Sequence, residues 1–190
     1  MPANLPLLVF AALLLATGSM RLVELAVSVR RMRQRPDAVV QEPWLFPLMA
    51  VLHVGLVALP LTEVWWLHRP FLPWLATLAA LGLALATGLR AWTLRTIGRA
   101  WNVRVVVPEG SMIVRTGPYA FIRHPNYLTV ILEIACLPLL HTAWLSALFL
   151  SALNGFVLFH RIRTEEAMLS KIPEWREAMA DRWRLIPWVI

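Results

Sequence analysis

The chain has 190 residues, enough for one domain, and it is 59% hydrophobic with a mean hydropathy of +0.64, so lipid is the solvent for most of it. Its single cysteine, Cys136, excludes an internal disulfide framework and a thiolate metal cluster, and within an apolar run it reads as a small buried hydrophobe. A formal net charge of +7 admits nucleic acid or a membrane surface as partner, and the placement of the charges decides between them.

A first apolar segment runs from about Leu5 to Val29, long enough to cross a bilayer. Arg21 and Glu24 interrupt it three residues apart and read as a charge pair near the membrane surface. The segment ends in arginines rather than a small-residue cleavage site, so it reads as retained. The stretch from Arg30 to Pro36 reads as a basic loop. A second segment spans Trp44 to Leu67, with tryptophans near its ends, as the lipid–water interface favours. Pro47 and Pro60 are expected to bend it, His53 to pack with a hydrogen bond, and Glu63 to reach the headgroups. A third segment follows from Phe71 to about Thr93.

From Leu94 to Tyr127 the chain is polar, basic and broken by glycines and prolines, with a short extended piece expected at Arg104–Val107. A long loop of this kind is expected to carry function. From Tyr127 to Phe159 the chain is apolar again, too long for one crossing and short for two. Splitting it at His141–Thr142 yields a hairpin of two short helices. A polar helix, His160 to about Trp183 and broken near Pro173, should then lie on the membrane surface with Trp175, Met179 and Trp183 on one face.

The basic residues arbitrate the topology. Of 18, all but Arg69 fall beside the end of the first segment, between the third and fourth, or after the fifth. The positive-inside rule then places the N-terminus outside and the C-terminus in the cytoplasm. Charge encodes orientation, and nucleic acid loses its support as a partner. The expected fold is an all-α integral membrane protein of one domain. It has three N-terminal crossings (residues 1–93) and a core (residues 94–190) made of a short hairpin, a cytosolic loop and a C-terminal helix.

Two polar groups converge on the cytoplasmic side. One is Tyr119 with Arg123-His124-Pro125-Asn126-Tyr127, where Pro125 suits the first position of a helix and the free N–H groups of that helix end favour an anion. The other is Arg161, Arg163, Glu165 and Glu166, with Arg161 and Glu165 at salt-bridge spacing on a helix. Glu133, about two turns into the fourth segment, is costly in lipid unless it faces a polar cavity or an arginine, and function is its default reading. No zinc-type histidine spacing, phosphate-binding glycine loop or Ser-His-Asp signature is present.

At these residues the chain resembles the isoprenylcysteine carboxyl methyltransferase family. The resemblance covers about Gly98 to Ile190. It rests on Gly98 with Trp101-Asn102, Gly117-Pro118-Tyr119, Arg123-His124-Pro125-Asn126-Tyr127, Glu165-Glu166-Ala167-Met168-Leu169 and Ile186-Pro187-Trp188. It implies S-adenosyl-L-methionine as methyl donor, no metal, and a lipophilic small-molecule or prenylated acceptor drawn from the membrane lipid. Carried over residue by residue, it implies that Tyr119, His124, Pro125, Asn126, Tyr127, Glu165 and Glu166 bind the cofactor and that Ile113 and Val114 pack against its adenosine. Arg161, or with a register gap Arg163, would face the acceptor beside Arg123. Leu128-Thr129 departs from the family, which often has a glycine there, and Glu133 to Trp144 is similar to a bacterial branch that methylates hydroxyls of polyketide lipids such as alkylpyrones and alkylresorcinols. The near-absence of lysine, Lys171 alone, fits a GC-rich bacterial genome and hence a bacterial inner membrane. A phenolic acceptor, with a pKa of about 10, would gain from a general base, and Glu133 or His124 could serve. A membrane reductase using a nicotinamide nucleotide, and a lipid-binding or transport protein with no cofactor, are the competing classes.

Overall fold

The structure, a computed structural model, describes residues 5–33, 45–98 and 113–186. Within them lie α1 (Leu5–Arg33), α2 (Leu45–Trp66), α3 (Pro73–Ile97), α4 (Pro125–Leu139), α5 (Trp144–Leu169) and α6 (Pro173–Met179). The expected extended piece at Arg104–Val107, the Trp101-Asn102 pair, Arg35-Pro36, Trp44 and Pro187-Trp188 fall outside the described residues.

The described elements are helical, apart from one isolated parallel bridge between Ile122 and Trp183. α1, α2, α3 and α5 are long and apolar enough to cross a membrane, while α4, at 15 residues, is shorter. At ~1.5 Å per residue α4 is about 23 Å long, against a hydrocarbon core of ~30 Å. The apolar run does fold into a hairpin, and its turn lies at the expected place. Thr142 takes a positive φ of 60°, and the Ala143 N–H closes the turn on the Pro138 carbonyl at 3.1 Å.

Three helix boundaries differ from the expectation. α1 continues through Arg30 to Arg33, because arginine is a good helix former and a basic run is no breaker in itself. α3 continues to Ile97 and stops at Gly98, whose φ of 55° ends the helix while its N–H returns to the Leu94 carbonyl. α5 runs unbroken past His160 to Leu169, so no separate polar helix starts there. The break falls at Ser170–Ile172, and Pro173 opens the one remaining short helix. Trp183 therefore leaves the helical face proposed for it and pairs with Ile122 instead.

Glu63 does not reach for headgroups. It is buried and accepts the Leu145 N–H at 3.2 Å, the Ser146 N–H at 2.6 Å and the Ser146 hydroxyl at 2.6 Å, while Arg69 Nε donates to it at 3.0 Å. The first N–H groups of a helix have no partner of their own, and in lipid water cannot supply one. A carboxylate from α2 caps α5 in place of the missing local cap.

The packing order is α1 against α2, α2 against α5, α5 against α4, and α4 against α3. Cys136 on α4 is half-buried and lies so close to α3 that a Cβ at Gly82 would meet its sulfur. The main core, with Phe10, Leu14, Leu52, Leu56, Ile134 and Leu150, fills one half of the bundle. A smaller cluster of Tyr127, Leu158 and Ile162 sits toward the other end. α1, α2, α4 and α5, with Arg90 from α3, line a cavity of about 480 Å³.

Candidate active site

The polar motif enters α4 through a fixed backbone path. Gly117 opens a one-turn 3-10 helix, Gly117–Ala120, at a φ of 59°. A Cβ there would land on Thr96 Oγ1 and within 3.1 Å of Trp92 Nε1, so only glycine fits against α3. The residues that follow are stitched to the C-terminal segment. Arg123 N–H donates to the Trp183 carbonyl at 2.7 Å, His124 N–H to the Arg184 carbonyl at 3.0 Å, and Trp183 N–H to the Phe121 carbonyl at 3.3 Å. The Arg123 side chain joins the same seam through the Arg182 and Ala180 carbonyls, at 2.9 and 3.3 Å. Its remaining reach is to Glu166, at 3.5 Å.

Pro125 is the first residue of α4, as expected. The helix end is less open to an anion than its sequence suggests, because the Tyr127 N–H turns back to the His124 carbonyl at 3.1 Å. Side chains supply most of the polarity. His124 is buried, stacks on Tyr127 with ring centroids 5.3 Å apart, and puts Nε2 3.2 Å from Glu166 and Nδ1 3.9 Å from Glu165. Arg184 binds the other Glu166 oxygen at 3.0 Å.

The two polar groups of the sequence meet at one phenol. The Tyr127 hydroxyl donates to the Glu165 carboxylate and accepts from Arg161 Nε at 2.8 Å. The Arg161 guanidinium also lies 5.4 Å from the Tyr127 ring centre. Arg161 and Glu165, four residues apart on α5, thus share a hydroxyl supplied by α4. Arg163 is exposed on another face, with its guanidinium 4.8 Å from the Phe159 ring centre. Tyr119 is half-buried, and burial together with the Glu165 carboxylate holds its phenol above the usual tyrosine range. Ile113 and Val114 are half-buried just ahead of the Gly117 turn.

The cavity opens against this cluster. Asn126, Tyr127 and Arg161 line it at one end, and Leu15, Leu22, Leu52, Val57, Val130 and Val157 supply an apolar wall. Asn126 Oδ1 is buried and has no hydrogen-bond partner among the described residues. His53 lines the cavity too, its Nδ1 2.6 Å from the Met49 carbonyl, which is the hydrogen-bonded role expected of it.

Glu133, the sequence's candidate base, is held in an ion pair. It is outside the set of cavity-lining side chains and is engaged by Arg21 and, at 3.6 Å, by Arg90. Glu24 completes a quartet in which Arg90 and Glu133 are buried and Arg21 and Glu24 half-buried, and it is bound by Arg21 at 2.7 Å and by Arg90 at 2.6 Å. The Arg21–Glu24 pair read from the sequence is real, but it belongs inside the bundle, where it ties α1 to α3 and α4. The sequence reading missed Arg90, Arg184 and Asn154. Arg90 had a signal, since it is an arginine inside a helix whose apolar pattern continues around it. Asn154, buried on the cavity wall, had one in being the lone amide in an apolar run.

The sequence profile described as the isoprenylcysteine carboxyl methyltransferase family matches residues 78–171, from within α3 to just past α5. A Bacillus subtilis protein described as the uncharacterized protein YpbQ is 32% identical over 126 residues, which covers 66% of this chain and 74% of that relative.

Proposed function

The chain belongs to the isoprenylcysteine carboxyl methyltransferase family, and from that membership we propose that it is a multi-pass membrane O-methyltransferase using S-adenosyl-L-methionine on a lipophilic acceptor. The observation that carries the reading is the meeting of His124, just ahead of α4, and Tyr127 on α4 with Glu165 and Glu166 from α5, at the polar end of an apolar cavity.

The residues present fit such a cofactor. It has a cationic sulfonium and ammonium, a carboxylate and several hydroxyls. The cluster offers two carboxylates, a histidine, two arginines on Glu166, and a buried amide oxygen on Asn126 that has no hydrogen-bond partner among the described residues. Glu165 and Glu166 would hold the cationic groups, Asn126 and His124 the neutral ones, and Tyr119, Ile113 and Val114 would pack along the ring system. When bound, the cofactor supplies an electrophilic methyl group.

The chain's own work is to position and to exclude water. Transfer between a cation and an oxygen nucleophile disperses charge, so a dry and well-aligned contact helps more than strong donors do. Tyr127 joins Arg161, on the cavity wall, to Glu165, and this joint would set the acceptor's site against the cofactor's. Arg161 would steer the acceptor oxygen, while Arg163, facing away, would take no part. An ionised acceptor needs no base. For a hydroxyl acceptor, His124 would serve as base in preference to Glu133, which is already committed to two guanidinium groups.

In the membrane, α4 and α5 would complete five crossings, with the cluster on the cytoplasmic side of a bacterial inner membrane, as the arginine distribution favours. A labelled-methyl assay offering prenylcysteine, alkylpyrone and alkylresorcinol in parallel tests the proposal. Label should reach at least one lipid, and transfer to none of them across these acceptor classes would count against it.

A further inference from the structure

The far wall of the cavity carries polar groups that the transfer chemistry does not use. Arg21, Glu24 and Arg90 line the cavity, and Glu133 completes their quartet from behind. Two arginines and two glutamates cancel in charge. As a structural tie this is an expensive choice, since buried ion pairs can often be replaced by apolar residues without loss of stability. Ionisable groups at membrane depth are function by default.

The quartet also leaves a donor over. Arg21 Nε is buried and makes no hydrogen bond among the described residues, and Arg90 Nη1, likewise without one there, lies 3.6 Å from the Glu133 carboxylate. His53 stands on the same cavity wall, and with Nδ1 donating to the Met49 carbonyl its neutral ring keeps Nε2 as an acceptor. A second anion here would add uncompensated negative charge to a balanced cluster. An uncharged oxygen, a carbonyl or a hydroxyl, would take the spare Arg21 N–H at no such cost.

We infer that this wall is a second polar subsite, which binds an uncharged oxygen of the acceptor remote from the atom that is methylated. The inference rests on the methyltransferase reading for the acceptor's other end. Glu133 and Tyr127 are six residues apart on α4, so the two polar ends are separated by about 9 Å along the helix. The acceptor class is therefore an amphiphile with two separated oxygens, one at Arg161 and Tyr127 and one at Arg21, with an apolar remainder against the leucine and valine wall. A cavity of about 480 Å³ suits a ligand of that size.

The test is equilibrium binding of a matched lipid pair to the full chain in nanodiscs at pH 6, where phenols are protonated. The pair is a long-chain para-acylphenol and the para-alkylphenol of equal length, which differ only in the ketone oxygen. The wild type should bind the ketone roughly 10- to 100-fold more tightly, the range of a hydrogen bond from a charged donor. Arg21→Lys, which keeps the charge and removes Nε, should lose most of that preference while S-adenosylhomocysteine binding is kept. Equal binding of the pair by the wild type overturns the inference, whatever the variant does. So does full preference retained in a folded Arg21→Lys. If the ketone preference is present but no methyl is transferred and no S-adenosylhomocysteine binds, the subsite stands and the methyltransferase reading falls. If methyl is transferred without the preference, the reverse holds.

Discussion

The Tyr127 hydroxyl on α4 donates to the Glu165 carboxylate on α5, joining two residues 38 positions apart, and Arg161 donates to the same oxygen. One phenol thereby fixes the register of the two helices at the point where the polar cluster meets the apolar cavity. Tyr127→Phe keeps the ring and removes this joint, leaving a guanidinium and a carboxylate short of one partner each. Hydrogen bonds to charged groups are worth about 1.5–3 kcal/mol, so kcat/KM for methyl transfer should fall roughly 10- to 100-fold. A labelled-methyl time course with the preferred lipid measures it.

Arg161 and Arg163 are one turn-fraction apart in sequence and on different faces in space. Arg161→Ala should lower methyl transfer at least about tenfold, the loss expected for one charge-assisted contact. Arg163→Ala should change it less than about twofold, because an exposed cation against a phenylalanine contributes little. Parallel kinetics of the two variants check the assignment, and equal losses would reject it.

Glu133→Gln and Glu133→Ala separate structure from catalysis. Removing one partner of a buried ion pair costs about 3–5 kcal/mol, so Glu133→Ala should unfold at markedly lower temperature than the wild type in the same detergent. Glu133→Gln, if it folds, should keep its pH profile of methyl transfer. A profile that loses its acidic limb would make Glu133 the base after all.

Tyr119 gives a pH prediction with a definite sign. Its phenol is raised above the ordinary value, first by burial and then by the Glu165 carboxylate. Below about pH 10 it is protonated in the folded and unfolded chain alike, so pH has no hold on stability through it. Above about pH 10 the unfolded chain ionises first, and stability drains away as pH rises. Tyr119→Phe should therefore lose less melting temperature between pH 9 and 11 than the wild type, as thermal unfolding at stepped pH would show.

Much of this molecule was legible in its sequence because lipid imposes simple rules. Length and hydropathy located every long helix, and the hairpin turn fell at His141–Thr142 because α4 and α5 cannot both be long within one apolar run. The motif residues His124 and Tyr127 stood out by type and spacing, the Glu165-Glu166 pair gained its site role through the family resemblance, and the structure brings them together. What escaped was pairing across helices. Glu63, Glu133 and Arg90 each look like isolated charges in one dimension, and their partners lie up to 112 positions away. The end of α3 and the start of α6 were blurred for a related reason. Polar residues continue a helix as readily as apolar ones, and only Gly98 and Pro173 mark the stops.

The cluster of His124, Tyr127, Glu165 and Glu166 is proposed to hold S-adenosyl-L-methionine. Calorimetry of the purified full chain with S-adenosylhomocysteine tests it most directly. Heat should appear with one site per chain and be lost in Glu165→Ala. No heat at concentrations well above micromolar, or heat with a nicotinamide nucleotide in its place, would contradict it.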